Sequence, residues 1–291
     1  MIPLSHAQRG LWFLSRLGEH GAAYNVPLAL RLTGSLDRDA LIQAFTDVVE
    51  RHEVLRTGFL EVDGEPYQQV RDTEQARPVF LVRESDPERL TEDLDDAARH
   101  VFDLAAELPV RCWLFVLGET DHVLLVLSHH IAVDGWSVGP LTNDLTTAYE
   151  ARCAGSEPDW EEPLPAQYTD YVVWQRDVLG DPDDQDSLQA RQLRYWTSAL
   201  AGLPPELELP YDRPRPPVSA HRAGSLQFRL GPLCSADWSR WPRRAGRRSS
   251  WCCRRRSRRC SHGSGPARTF RWARPPRAAP RRSSRISSAF S

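Results

Sequence analysis

Two adjacent histidines are the side chains of this sequence best suited to move a proton. His129 and His130 directly follow an apolar segment, and Asp134 and Gly135 come shortly after them in a His-His-x-x-x-Asp-Gly run. Imidazole titrates near neutral pH, which makes it the usual acid–base group of enzymes. The same pair is also compatible with two structural histidines whose nitrogens are hydrogen-bonded at the end of a buried strand. The residues of this run alone leave both interpretations open.

The residues on either side of the histidine pair predict the elements that position it. Residues 122–127 are nearly all apolar, as expected of a strand that is covered on both faces, and residues 111–117 predict its hairpin partner. Beyond Gly135 the sequence predicts a helix over residues 137–150. The pair therefore lies where a central strand meets a helix.

Helical and strand patterns alternate through the rest of the first 200 residues. Ser5 is predicted to cap an N-terminal helix, and Asp37 or Ser35 to cap a second helix that ends near His52. An Asp-Gly pair at 63–64 predicts a hairpin turn. The remaining strands are predicted over residues 25–32, 59–62, 67–70 and 78–82, and the remaining helices over residues 88–101, 166–179 and 188–200.

Charge is distributed unevenly along the 291 residues. Residues 1–230 contain 20 Arg and 38 acidic residues, whereas residues 231–291 contain 17 Arg and one acidic residue. No apolar run is long enough to span a membrane and no secretion signal is recognised, so a cytoplasmic location is expected. The six cysteines show no zinc-ligand spacing, and no metal site is predicted.

Five segments, in this order along the chain, carry a resemblance to a known family. They are Ser5–Trp12, Arg51–Phe59, His129–Ser137, Tyr168–Gln175 and Tyr195–Pro217. Together they resemble the condensation domains of nonribosomal peptide synthetases, which belong to the superfamily with the chloramphenicol acetyltransferase fold. The resemblance implies an α+β fold in which residues 1–209 form the first lobe of a two-layer sandwich. Residues 210–230 then contain a Pro-rich linker and the start of a second lobe.

The resemblance also implies an activity and its partners. The family is an acyltransferase family that forms a peptide (amide) bond between aminoacyl or peptidyl thioesters tethered to carrier domains. The substrates are carried on the 4'-phosphopantetheine of upstream and downstream peptidyl carrier domains, and an adenylation domain belongs to the same assembly line. No directly bound cofactor is expected, and neither nucleic acid nor a membrane is expected as a partner.

By resemblance, His130 occupies the catalytic position, either as general base or as the hydrogen-bond partner that positions the attacking amine. His129 is expected to pack and to orient its neighbour. Tyr168, Asp170 and Trp174 match a later motif of the family, and we interpret them as one helix face that packs on the core.

The other residues of the run receive supporting roles. Asp134 is expected to fix the loop through an ion pair, with Arg56 as the candidate partner. Gly135 is expected to permit the turn and the close approach of substrate. Trp136 is expected to line the substrate channel, and Ser137 either lines it as well or caps the following helix.

The Arg-rich tail departs from the family, which continues beyond Leu230 into a second lobe. Shifting the reading frame by one position permits strings typical of that lobe over residues 268–282 and 285–291. We therefore interpret residues 231–291 as an out-of-frame translation and expect them to be disordered. Because the second lobe forms the other wall of the channel, this truncated chain is expected to be inactive or nearly so.

The sequence leaves further functions open. The same histidine motif occurs in epimerisation domains and in acyltransferases that use coenzyme A. A carrier-docking remnant without catalysis is a further interpretation. Read literally, the basic tail is typical of a nucleic-acid-binding segment.

Overall fold

A computed structural model describes residues 2–17, 21–160, 163–204, 214 and 287–288. The chain divides into two units, of which the first comprises Met1–Ala201 and Arg282–Phe290. The second comprises Gly202–Arg281 and Ser291, and only residues 202–204 and 214 of it are described. Apart from residue 214, the predicted linker and start of the second lobe therefore lie outside the described residues, as does nearly all of the Arg-rich tail.

The described strands and helices agree closely with the sequence patterns. The strands are β1 (Ile2–Pro3), β2 (Asn25–Thr33), β3 (Thr57–Val62), β4 (Glu65–Val70), β5 (Val79–Glu84), β6 (Val110–Gly118), β7 (Asp121–His129) and β8 (Ser287–Ser288). The α-helices are α1 (His6–Arg16), α2 (Arg38–Arg51), α3 (Leu90–Ala98), α4 (Val138–Cys153), α5 (Tyr168–Leu179) and α6 (Leu188–Ala199). Three described elements were not predicted. They are a short 3₁₀ helix, Glu53–Arg56, which joins α2 to β3, and the two-residue strands β1 and β8, of which β8 lies in the tail that was expected to be disordered.

Strand β7 lies in the middle of a five-stranded sheet whose order is β5-β6-β7-β2-β8. It runs antiparallel to both β6 and β2, and β5 runs parallel to β6. A smaller sheet has the order β1-β4-β3. Every residue of β7 after Asp121 is buried, which confirms the prediction of a strand covered on both faces.

Two hydrophobic clusters account for this burial, one on each face of the β6–β7 hairpin. Leu124 and Val126 belong to a cluster that includes apolar residues of α2 and α4. Val123, Leu125 and Leu127 belong to the other cluster, which includes residues of α3 and β3. Alternate residues of one strand point to opposite faces, so the apolar run of β7 is the consequence of a layer on each side.

Local signals in the sequence define several of the element boundaries. The side chain of Ser5 caps α1 and forms a reciprocal capping box with Gln8, while Asp37 caps α2 by accepting from the Ala40 N–H at 2.9 Å. Asp63 and Gly64 have φ angles of 52° and 81°, as a tight hairpin turn of the primed type requires. The predicted pairing of β3 with β4 across this turn is confirmed.

Candidate active site

The backbone at the end of β7 is held on both sides of the histidine pair. The N–H of His129 donates to the carbonyl oxygen of Pro109 at 2.9 Å, and the N–H of His130 donates to that of Tyr24 at 2.8 Å. The Ala132 N–H turns back to the His129 carbonyl oxygen at 3.0 Å. The main chain around His130 is therefore fixed by the residues that precede β6 and β2 and by its own turn.

The first histidine of the pair is buried and neutral. Only 4% of His129 is exposed, and its Nδ1 accepts a hydrogen bond from the Ile131 N–H at 3.1 Å. Its ring lies 6.4 Å from that of Tyr24 and 6.1 Å from that of Phe102. Burial, with a smaller contribution from the adjacent His130, lowers the pKa of His129 to about 4. An Nδ1 that accepts requires the proton of the neutral ring to reside on Nε2.

The second histidine presents its imidazole to the outside. His130 is exposed, and within the described part of the chain its ring nitrogens form no hydrogen bond. Both nitrogens are thus available to an incoming group. A fixed backbone beneath an unengaged imidazole is the arrangement that a proton-transfer residue needs.

Asp134 fixes the loop through its own turn. Its Oδ1 accepts from the N–H of Trp136 at 2.9 Å, from the N–H of Ser137 at 3.0 Å and from the Ser137 hydroxyl at 2.8 Å. The Ser137 oxygen in turn accepts from the Asp134 N–H at 3.0 Å. Partial burial opposes ionisation, but these hydrogen bonds outweigh it and lower the pKa of Asp134.

The predicted ion pair between Arg56 and Asp134 is wrong. The guanidinium of Arg56 donates to the backbone oxygens of Arg71 and Glu50 and lies 3.5 Å from the carboxylate of Glu53. Arg56 ends the 3₁₀ helix beside β3, so its side chain satisfies carbonyls at that junction. Asp134 is exposed, and donors within its own turn occupy Oδ1.

The structure agrees only in part with the roles expected of Gly135, Trp136 and Ser137. Gly135 has no left-handed φ, and a Cβ at this position meets nothing within 4 Å among the described atoms, so the turn itself does not require glycine. Trp136 is 69% exposed in the loop that follows His130. Ser137 stands at the N-cap position of α4 but forms no cap bond with its side chain, because its hydroxyl pairs with Asp134.

A cavity of about 200 Å³ lies behind the loop and was not predicted. It is lined by His52, Val54, Leu55, Ala132, Val133, Ser137, Pro140 and Leu141. His52 Nε2 lies 2.7 Å from Oδ2 of Asp144 on α4, and Arg51 Nε donates to the same oxygen at 3.1 Å. Arg51 and His52 belong to the second segment that carries the family resemblance, so the sequence drew attention to them. Nothing in the sequence indicated that Asp144 is their partner.

The fourth segment is only partly a packing face. The hydroxyl of Tyr168 lies 3.0 Å from Oγ of Ser5, which joins the start of α5 to the start of α1. Asp170 accepts from the Gln167 N–H at 2.8 Å and so caps α5. Trp174, however, is 58% exposed, so the interpretation that it packs on the core is wrong. Helical spacing assigns residues to a common face but does not tell whether that face is covered.

Neither a metal-binding cluster nor a membrane-spanning helix occurs within the described residues. No group of three or more His, Cys, Asp or Glu side chains could hold an ion there. None of the described helices combines the length and apolar character that crossing a bilayer demands.

The decisive comparison is with families of known proteins. A model of the family described as "Condensation domain" matches residues 1–241. The chain belongs to the condensation domain family. The match contains His129, His130 and Asp134, and solved condensation domains confirm the fold that the resemblance implies.

Curated relatives of this condensation domain are much longer proteins. It is 53% identical over 228 residues to the isonitrile lipopeptide synthase of Mycobacterium tuberculosis, covering 77% of this chain and 9% of the relative. It is 49% identical over 231 residues to the dimodular nonribosomal peptide synthase of Bacillus subtilis, covering 79% of this chain and 10% of the relative. The chain therefore spans about a tenth of the length of each.

Solved structures reproduce the fold. The X-domain in the "Complex of the X-domain and OxyB from Teicoplanin Biosynthesis" is 38% identical with a TM-score of 0.76, and the alignment covers 85% of this chain and 53% of the X-domain chain. The starter condensation domain of the rhizomide synthetase has a TM-score of 0.58 at 18% identity over 70% of this chain and 48% of that chain, which indicates the fold alone. This condensation domain chain matches about half of each solved chain.

Proposed function

We propose that this condensation domain forms an amide bond between two carrier-tethered acyl groups, and that His130 handles the proton of the attacking amine. The observation that carries the proposal is the exposed imidazole of His130 on a backbone fixed by the Tyr24 carbonyl and by the Ile131 turn. His129 cannot share the role, because it is buried and its Nδ1 is occupied.

The reaction balances without any further reactant. The amine nitrogen of the downstream aminoacyl group attacks the carbonyl carbon of the upstream thioester, and the carbonyl electrons form an oxyanion. Collapse of this intermediate expels the thiolate of the upstream 4'-phosphopantetheine, which takes up the proton lost by nitrogen. His130 acts on that proton as general base or as hydrogen-bond partner of the amine. The products are a longer acyl chain on the downstream carrier and a free thiol upstream.

We further propose that the chain by itself is inactive or nearly so. His130 and Trp136 are both exposed, and nearly half of the teicoplanin X-domain chain lies outside the part that this chain matches. A second lobe facing these side chains supplies the other wall of the channel and helps to dock the carriers. Residues 231–291 are proposed to be an out-of-frame version of its beginning, which sequencing of codons 228–240 and of the bases after codon 291 tests directly.

The test compares the chain with a frame-repaired form that continues into the second lobe. Both are incubated with two carrier proteins loaded with aminoacyl thioesters, and the product on the downstream carrier is identified by mass spectrometry. The repaired form is expected to give the dipeptidyl thioester, and His130→Ala to slow it by about 100-fold or more. An unchanged rate in a folded His130→Ala variant removes the proposed role.

A second candidate function is protein binding without catalysis. The observation that favours it is the 38% identity to an X-domain whose solved structure is a complex with OxyB. In that case the repaired form binds a loaded carrier or another protein of the assembly line, yet forms no peptide. Epimerisation of a carrier-bound residue and acyl transfer from coenzyme A are two further activities that the histidine motif permits, and each is recognised by its own product in the same assay.

A further inference from the structure

A buried glutamine near the N-terminus contacts the loop that carries His130. Gln8 is 1% exposed, and each atom of its amide has a partner. Its Oε1 accepts from the Ser5 N–H at 3.0 Å, and its Nε2 donates to Oε1 of Gln68 at 3.1 Å and to the carbonyl oxygen of Ile131 at 3.4 Å. The two donors and the acceptor of the side chain are thereby used.

The orientation of this amide is determined by its partners. Turning it over places Nε2 against the N–H of Ser5 and Oε1 against two acceptor oxygens, those of Gln68 and Ile131. Buried polar groups without matched partners are costly, so the amide is held in one orientation. The oxygen of Gln68 is held in its turn, because the Gln68 amide donates to the Pro3 carbonyl at 2.9 Å.

The contact with Ile131 completes the support of His130. The N–H of His130 is held by Tyr24, and the N–H of Ile131 is held by Nδ1 of His129. The carbonyl of Ile131 is the next backbone group, and Gln8 holds it from the side of α1. Consecutive peptide groups before and after His130 are therefore anchored, although its imidazole touches no hydrogen-bonding partner among the described residues.

We propose that Gln8 is a positioning residue for His130. Its side chain holds the Ile131 carbonyl, and this fixes the backbone at His130 and thereby the orientation of the imidazole. Its catalytic consequence rests on the function proposed above, whereas its structural consequence does not. Gln8 also belongs to the capping box that starts α1, and that role uses only its Oε1 and its backbone N–H. The two donors of Nε2 are left for the loop and for Gln68.

Two substitutions separate positioning from capping. Gln8→Met has a similar volume but removes every side-chain hydrogen bond, and Gln8→Glu keeps the oxygen that accepts from Ser5 while replacing the donating nitrogen. Ser5→Ala is the matched control, because it removes the oxygen that accepts from the Gln8 N–H and leaves Nε2 facing Ile131. Gln8→Met provides the test if Gln8→Glu does not fold, because methionine places no buried charge against the oxygens of Gln68 and Ile131.

The first readout needs no activity. In the present chain, the exchange rate of the Ile131 amide and the ¹⁵N shifts of the His129 ring are measured by nuclear magnetic resonance. Either Gln8 variant is expected to raise the Ile131 exchange rate at least tenfold relative to Ser5→Ala at matched global stability. Equal exchange in Gln8 and Ser5 variants means that Gln8 only caps α1, and overturns the proposal.

The second readout uses the frame-repaired form. Gln8→Glu is expected to lower kcat about tenfold with little change in KM, and to leave the product unchanged, while Ser5→Ala keeps kcat within about twofold. An unchanged kcat in Gln8→Glu also overturns the proposal. Absence of turnover in the unsubstituted protein counts against the proposed function alone, because the exchange measurement still decides the role of Gln8.

Discussion

The backbone N–H of Ile131 donates a hydrogen bond of 3.1 Å to Nδ1 of His129, across the residue that carries the exposed imidazole. The two histidines of the pair thus divide their roles. His129 uses its ring to support the turn, and His130 leaves its ring for other molecules. A proton on Nδ1 of His129 is incompatible with this bond, which links the protonation of a buried group to the geometry of the loop.

The stability of the chain is expected to fall as the pH is lowered from 6.5 towards 4. Burial keeps His129 neutral in the folded state, with a pKa of about 4, whereas the same group in the unfolded chain ionises near 6.5. The unfolded state therefore binds more protons in this interval, and the loss reaches on the order of 3 kcal/mol. Urea denaturation at a series of pH values measures it.

The control for this prediction is His129→Asn. The Oδ1 of asparagine stands where Nδ1 stood and can accept from Ile131, but it does not titrate. The variant is expected to show a flatter dependence on pH between 6.5 and 4 than the unsubstituted chain. Identical slopes would mean that other groups cause the acid sensitivity.

Asp134 is expected to be coupled energetically to Ser137 and not to Arg56. Asp134→Ala removes an acceptor of three hydrogen bonds at the start of α4, which we expect to cost about 1 kcal/mol. A double-mutant cycle with Ser137→Ala is expected to give a coupling energy above about 0.5 kcal/mol, and a cycle with Arg56→Ala one near zero. A large coupling to Arg56 would restore the ion pair that the structure contradicts.

The pair formed by Asp47 and Arg152 is expected to contribute more than surface ion pairs. It joins α2 to α4 through two hydrogen bonds of 2.8 and 2.6 Å, and both side chains are largely shielded from water. We expect Asp47→Asn to lower the free energy of unfolding by about 2 kcal/mol. The matched control is Asp121→Asn in the exposed bidentate pair with Arg31, where less than about 1 kcal/mol is expected. Equal losses in urea denaturation would contradict this ranking.

The two cysteines of the described part are expected to react at very different rates. Cys112 is buried in β6, and burial raises the pKa of its thiol well above the usual value. Cys153 is exposed at the end of α4. Alkylation of the native chain followed by peptide mass spectrometry is expected to label Cys153 and to spare Cys112, since the thiolate is the reactive form. Rapid labelling of Cys112 would indicate that the β6–β7 core opens readily.

Local patterns were sufficient to predict most of the elements that carry the site. The apolar run of β7, the Asp63–Gly64 turn and the Ser5 cap each depend on residues that are adjacent in sequence, and the structure confirms them. Turn and cap preferences act over a few residues, so the sequence displays them directly. The position of the histidine pair at the end of β7 was predicted in the same way, from the apolar run that directly precedes it.

Side-chain partners that are distant in sequence could not be predicted in the same way. Arg56 donates to carbonyl oxygens near the start of β3, and not to Asp134. Gln8 donates to the carbonyl oxygen of Ile131, which is more than a hundred residues away in the chain. Opposite charges indicate that two residues could pair, but only the packing of whole elements decides which groups meet. The exposure of Trp174 had the same cause, because a helical pattern contains no information about what covers the helix.

Pro27 gives β2 a further property that concerns self-association. This strand is bounded by β7 on one side, and on the other side its described partners in β8 pair with Leu30 and Arg31. A proline has no amide hydrogen to offer to an added strand, and a charged side chain such as that of Arg31 disfavours stacking of further copies. Among the described residues no strand pairs with this side of β2 in the half nearest the histidines, and Pro27 makes that half a poor template for cross-β growth between copies of the chain.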